Sequence, residues 1–385
     1  MERTLAERLI SYDTSTPDGL ASAAGFVKGW LQSRDVDARD HDHDGLPVIS
    51  AEVGPAAGPT IILHGHLDVV PGHPDQFEPR LEGDRLMGRG AYDMKGALAA
   101  MMCATVDAAA SARVSVRLLC VPDEESEEVE SRSTDALVAG GYRADFAITG
   151  EPTDLHIGVE AKGVLAMRIV VHGRAAHSST PWLGDNAVLK AVDVFRAIET
   201  LPFSRQSSEL FDRPSINLGR IRAGRALNMV PDRCEMHVDV RYLPGQDPDE
   251  ILAQVAAIDE VEVQRTFLRA PAQVSRRDPF VRALADAVRH SNAGEVMSVG
   301  RDGASDAGAF LDVGVPAVEF GPVGGGHHGP DEWVSVASLA RYRRVLGDFV
   351  RQLPERLDWQ RGSDRADARR AAEGTVAVLR PAAGR

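Results

Sequence analysis

The sequence predicts an α/β protein in which a mostly parallel sheet with covering helices is interrupted by a small ferredoxin-like α+β domain. Two observations predict it. Short apolar β-type runs alternate with helical patterns over the first part of the 385-residue chain, the signature of βαβ units. Between about residues 159 and 271 the order changes to β-α-β-β-α-β, which suits a ferredoxin-like sandwich, and the earlier alternation then resumes. Because the length exceeds the usual size of one core, residues 1–158 with 272–358 are expected to form one domain and residues 159–271 a second.

Residues 2–11 and 20–33 carry apolar side chains at helical spacing, whereas 60–63, 114–121 and 145–148 are short β-type runs. Between them "DMKGALAAMMCATVDAAA", starting at Asp93, is rich in alanine and methionine and reads as a buried helix. In the middle, strands at 164–171, 215–221, 233–242 and 261–267 are interleaved with a helix from near Asp185 and another over 248–258. After "RAPAQVSRRDP" come a helix at 279–290, an apolar strand around 315–320 and a closing helix at 336–353. Residues 359–385 are small, charged and punctuated by glycine and proline, and read as a disordered tail.

With 57 acidic against 43 basic residues the net charge is -14, which argues against a nucleic-acid or membrane-surface partner. No segment reaches the roughly 18 apolar residues of a membrane span, and the N-terminus lacks the apolar core of a signal peptide. A cytoplasmic protein is expected. Cys103, Cys120 and Cys234 lie far apart without Cys-x-x-Cys spacing and read as buried reduced thiols.

The chemistry begins at "LHGHLDVVP", where His64, His66 and Asp68 occupy alternate positions of an apolar run. In an extended chain they point the same way, and the carboxyl end of a buried strand is where α/β sheets place ligands. A lone histidine there is more often a satisfied core residue, so the reading needs support from elsewhere. "GRGAYDMKG" supplies Asp93 directly before a helix, where a carboxylate can cap the helix. "VPDEESEE" puts Asp123, Glu124 and Glu125 after an apolar strand, while Glu127, Glu128 and Glu130 read as a solvated loop. "FAITGEPTD" puts Glu151 after another strand, and "GGGHHGPDE" carries His327 and His328 in a glycine-rich loop. The cluster "HDHDG" at 41–45 looks metal-like but sits in a polar stretch and reads as a solvated turn. Nitrogen and oxygen ligands without thiolate suit zinc, cobalt or manganese, and an aspartate can bridge two ions about 3.5 to 4 Å apart.

"HGHLDVVPG", "GRGAYDMKGALAA", "DEE", "GEPT" and "HHGPDE" succeed one another in the order and spacing of a known family. The chain resembles the metallohydrolases that include acetylornithine deacetylase, succinyl-diaminopimelate desuccinylase, aminoacylase and carboxypeptidase G, from residue 1 to about 355. The resemblance implies two divalent ions, with His66, Asp93, Glu125, Glu151 and His328 as ligands and Asp93 bridging. It makes Glu124 the general base and Asp68 the group that orients His66 through the other ring nitrogen. His328 takes the last ligand position as the histidine nearest Pro330-Asp331-Glu332, and His327 is its competitor.

By the same resemblance the inserted domain is a lid and dimerisation domain. His177 in "GRAAHSSTP" would cross to a partner subunit's site and steady the oxyanion. Arg241 would pair with a substrate carboxylate and Asn228 would also face the substrate. The acidic motif departs from the family in continuing as Ser126-Glu127-Glu128, where many members have glycine. These residues point to a hydrolase that removes an N-acyl group from a small carboxylate-bearing substrate. A carboxypeptidase or dipeptidase would use the same residues, and a non-catalytic binding protein on this fold is the alternative of another class.

Overall fold

The computed structural model describes residues 1–110, 113–125, 132–291 and 297–357. The tail reading for 359–385 and the readings for Ser126 to Glu130 lie outside the described residues. The chain divides into two compact units, the first made of Met1–Val159, Val274–Ser298 and the described part of Ala309–Arg385, the second of Glu160–Gln273 and Val299–Gly308. The stretch Val299–Gly308, which the alternation of elements assigns to the first domain, groups with the second.

The sheet of the first unit runs in the order Asp37–His43, Leu46–Val53, Ser115–Val121, Thr60–His66, Phe146–Thr149, Ala317–Glu319 and Ile157–Ala161. Its centre, from Ser115–Val121 to Ala317–Glu319, is parallel, and the strands on either side of that centre are antiparallel. Central strands covered on both faces are largely apolar, and Thr60–His66 is buried at every position, its polar residues Thr60, His64 and His66 included. The helix Gly96–Ala108 is buried over nearly all its length and packs on Glu2–Ile10 and Val336–Arg356. Phe146, fully buried, stacks on Phe280 with ring centroids 5.2 Å apart and leans on Phe349 at 6.0 Å.

In the second unit the strands Gly163–His172, Ser215–Ala223, Arg233–Tyr242 and Val261–Arg269 and the helices Ala187–Ile198 and Pro248–Ala256 keep the expected order. The sheet is antiparallel, ordered second, third, first, fourth, which is the ferredoxin-like arrangement. One face buries Leu165, Met167, Ile169, Val238 and Val240 against Ala191, Val194, Ile251 and Val255. Among the described residues, no helix is long and apolar enough to cross a membrane.

Two local expectations are corrected. The "HDHDG" stretch is a strand, Asp37–His43, turning at Asp44 and Gly45 with positive φ (52° and 84°) into Leu46–Val53. His41 is half-buried there, its Nε2 2.7 Å from Ser50 Oγ and 3.2 Å from Tyr142 Oη. Asp93 caps no helix: its φ of -118° and ψ of 92° are non-helical, and the helix begins at Gly96. Both carboxylate oxygens are thereby released for other contacts.

Phe146→Ala leaves a cavity under two other rings and is expected to cost about 3 to 5 kcal/mol. Urea unfolding followed by far-UV circular dichroism measures this, and a loss below about 1 kcal/mol would contradict the packing described.

Candidate metal centre

Parallel register brings the site together. His66 lies opposite Val121, and His64 opposite Thr149, so the chain leaves three neighbouring strands at the same end of the sheet. Each of these strands leads into a polar segment: Leu67-Asp68, Asp123-Glu124-Glu125 and Gly150-Glu151. Asp93 comes from the turn before the buried helix, and His328 from the loop after Ala317–Glu319.

Two groups of possible metal ligands form. The ligand atoms of His66, Asp93 and Glu151 lie within 4.8 Å of one another, and so do those of Asp93, Glu125 and His328. Asp93 belongs to both. Its Oδ1 is 3.1 Å from His66 Nε2, and its Oδ2 is 3.5 Å from His328 Nε2, so the two oxygens face opposite groups. His328 Nε2 is also 2.8 Å from Glu125 Oε1. The five residues that the resemblance names as ligands are thus together, and His327 belongs to neither group.

Electrostatics fit a cation. Burial raises the Glu151 carboxyl well above the usual range, and the neighbouring Asp93 and Glu124 charges raise it further. Glu151 Oε1 has no hydrogen-bond partner among the described residues. Burial works the same way on Asp93, but hydrogen bonds from His328 and His66 outweigh it and hold its carboxyl far below the usual range. Bonds to Asp93 and Glu125 push the His328 imidazole up to about 10. His66, fully buried, is raised well above its usual value because Asp93 and Asp68 overcome the burial that opposes it. Crowded carboxylates that hold imidazolium protons between them can hold divalent cations at the same atoms once those protons leave.

Asp68 acts differently from expectation. His66 Nδ1 bonds to the Asp68 main-chain carbonyl at 2.9 Å, while the carboxylate Oδ1 stands 3.6 Å away, beyond hydrogen-bond reach. The carbonyl faces the ring and the carboxylate the next loop. There Oδ2 accepts the Glu125 N–H at 2.8 Å. Burial raises the Asp68 carboxyl to about 6.

Glu124 Oε1 accepts from Arg132 Nη1 at 2.9 Å. Asp123, fully buried, takes the Ser133 N–H at 2.8 Å and its hydroxyl at 2.5 Å, anchoring the loop that carries Glu124 and Glu125. Neither Arg132 nor the anchoring of Asp123 was visible in sequence, since both depend on a helix start ten residues downstream. His64 is a buried core histidine, its Nε2 2.9 Å from Thr134 Oγ1 and its ring against Phe310.

In the second unit His177 is exposed, with Nδ1 2.8 Å from Ser179 Oγ. Asn228, also exposed, adjoins it: the Ser178 N–H donates to the Asn228 carbonyl at 3.0 Å, and His177 bridges to Met229. Arg241 is tied to Asp239 on its own strand, Nη2 to Oδ2 2.9 Å. A cavity of about 680 Å³ in this unit, lined by Lys162, Phe211, Arg213 and Asp302 among others, gathers no carboxylate–imidazole group. Its buried lysine is satisfied by the Arg213 carbonyl at 2.8 Å and Asp302 at 2.7 Å.

The sequence model of peptidase family M20/M25/M40 matches residues 62–352, the span that holds every residue of both groups. The chain belongs to that family. As a family member it is a hydrolase of amide bonds. Solved structures agree on the fold. An M20-family metallo-carboxypeptidase of Sulfolobus solfataricus matches with a TM-score of 0.74 at 21% identity, covering 92% of this chain and 99% of that one. A tripeptidase of Staphylococcus aureus matches at 0.75 and 18% identity, covering 92% and 98%. A dinuclear metal-binding peptidase of Bacillus subtilis matches at 0.65 and 18%, covering 92% and 99%.

Glu151 yields a prediction. A buried carboxyl whose proton affinity is raised keeps its proton in the fold while the unfolded chain loses it. The ion-free protein therefore loses stability as pH rises above the ordinary value of 4.5. Glu151→Gln removes that loss. In chelator, its melting temperature is expected to exceed that of the parent by more at pH 8 than at pH 5; a gap that stays constant would show that Glu151 titrates normally.

Proposed function

We propose that the chain is a two-metal amidohydrolase that cleaves an N-acyl group from a small amino-acid-like substrate bearing a free carboxylate. The observation that carries this reading is the pair of ligand groups sharing Asp93, with Glu124 next to Glu125 on one of the loops that build them. His66 and Glu151 would hold one ion, Glu125 and His328 the other, and Asp93 both. Zinc fits these donors best, with cobalt or manganese as substitutes. Ions so held supply Lewis acidity toward the carbonyl and toward water.

The remaining roles belong to side chains. Glu124, held through one oxygen by Arg132, takes the proton of the attacking water and passes it to the leaving nitrogen. Asp68 keeps His66 and the Glu125 loop in place from two sides. His177, offered by a partner subunit, would steady the oxyanion, and Asn228 and Arg241 would hold the substrate, Arg241 by its carboxylate. Arg241 already pairs with Asp239, so a substrate carboxylate would have to compete with a neighbour on the same strand.

A second reading within the family is a carboxypeptidase or dipeptidase. It is favoured by the solved structures, which include a metallo-carboxypeptidase and a tripeptidase. A third, a binding protein without turnover, is disfavoured by the complete set of acidic and imidazole groups. A homodimer through the second unit and a cytoplasmic location complete the proposal. The dimer is supported by Trp182, Leu183, Leu189 and Leu227, all exposed, and by the strand Ser215–Ala223 at the sheet edge.

Metal analysis of the purified chain should find two divalent ions, and Glu124→Ala should lower kcat by about 10² to 10⁴ while keeping both. A panel of N-acyl amino acids and dipeptides, assayed with zinc, cobalt and manganese, separates the readings. Full activity after exhaustive chelation would sink the mechanism, and ligand binding without hydrolysis across the panel would favour the binding protein.

For the dimer, sedimentation velocity is expected to give two subunits for the parent and one for Leu189→Glu; a monomeric parent would refute it.

A further inference from the structure

Glu332 lies four residues after His328 and is 2% exposed. Its Oε1 accepts the main-chain N–H groups of Tyr92 and Asp93, each at 3.0 Å. Its Oε2 accepts the Gly90 N–H at 2.9 Å and Arg89 Nη1 at 3.0 Å. One buried carboxylate therefore gathers three N–H groups of the turn that carries Asp93. That turn starts at Gly90 with φ 77°, where an added Cβ would meet Val69 at 2.7 Å.

Arg89, 4% exposed, reaches the other way, its Nη2 3.4 Å from the His328 carbonyl. His328 has φ 61°, a backbone region that a non-glycine residue keeps only when its surroundings impose it. Gln76 grips the same loop through the Gly329 and Pro330 carbonyls, at 3.1 and 3.2 Å. Asp93 and His328 are about 235 residues apart in sequence, yet one ion pair touches the main chain of both.

We infer that the buried Arg89–Glu332 pair is a brace that fixes the spacing of Asp93 and His328 and so sets the affinity of the ion held by Asp93, Glu125 and His328. The inference rests on the two-ion reading above. Both residues act through others and are positioning residues. Main-chain N–H groups held by a carboxylate fix the position and direction from which the Asp93 side chain leaves the backbone, and a held carbonyl does the same for His328. The ion held by His66, Asp93 and Glu151 shares Asp93 but depends less on the brace, because His66 lies on the strand Thr60–His66 and Glu151 follows directly on Phe146–Thr149.

The test uses the full chain, stripped by chelator and titrated with cobalt(II) or zinc in a calorimeter. Glu332→Gln keeps size but turns an NH2 toward N–H donors; Arg89→Lys leaves a single ammonium that cannot serve both Glu332 and the His328 carbonyl. Each variant is expected to weaken the second ion about 10- to 100-fold and the first, which shares Asp93, clearly less. The visible spectrum of the second cobalt equivalent should change. The metal concentration for half-maximal activity should rise by the same factor, with KM unchanged and kcat restored at saturating metal.

Unchanged affinity for the second ion in a folded variant overturns the brace, and so does equal weakening of both ions. Should Glu332→Gln fail to fold, Arg89→Lys decides the matter alone. A parent that binds fewer than two ions instead refutes the two-ion reading, which keeps the two failures apart.

Discussion

The candidate metal centre turns on the Asp93 carboxylate, which is almost buried yet has one oxygen facing each of two imidazoles. A charge in such a place is costly unless opposite charge stands beside it. His66 and His328 provide that charge when protonated, and Glu125 and Glu151 extend the arrangement to either side. Four carboxyl and imidazole groups around a fifth would repel or titrate away in any ordinary core. Their coexistence is the physical signature of a site built for cations rather than for packing.

The sheet makes the arrangement possible. Parallel strands end on the same side, so three neighbours whose last residues stand in register deliver three polar loops to one rim. Each loop is then fixed by a buried contact of its own. Asp68 spans two of them, with its carbonyl on His66 and its carboxylate on the Glu125 N–H. Asp123 ties the second loop to the helix Ser133–Ala139. The side chains that meet a cation are therefore supported by side chains that do not, and removing the supports would loosen the ligands before it unfolded the chain.

The buried elements were legible because their periodicity is strong: Arg233–Tyr242 and Pro279–His290 have the bounds that the pattern alone suggests. The hairpin from Asp37 to Val53 was hidden, since its outer strand reads "DARDHDH" and only Ala38 is buried. Edge strands carry half the apolar signal of central ones. The ligand residues could be named from motifs, but their supports could not. Nothing in "GRGAYDMKG" says that Asp93 leaves helical geometry or that its N–H is held by Glu332, more than two hundred residues away. The Asp68 tether shows the same limit: sequence names the residue, while the local backbone decides which of its oxygens meets His66.

The charge arrangement also ties stability to occupancy. Without a cation, the burial that raises Glu151 and the bonds that raise His328 mean that the fold holds protons the unfolded chain would release. For Glu151 this costs stability as pH rises, and for His328 the raised affinity adds stability that is complete below the ordinary value of 6.5, declines as pH rises from there and is gone above about 10. A bound cation removes the first effect and replaces the second, since it neutralises the carboxylates directly and needs the imidazoles unprotonated. Ligand binding to the folded state alone stabilises it in proportion to the logarithm of free ligand over its dissociation constant. The same crowding of carboxylates that weakens the ion-free fold is thus what gives the site its affinity, so a substitution that relieves one must weaken the other.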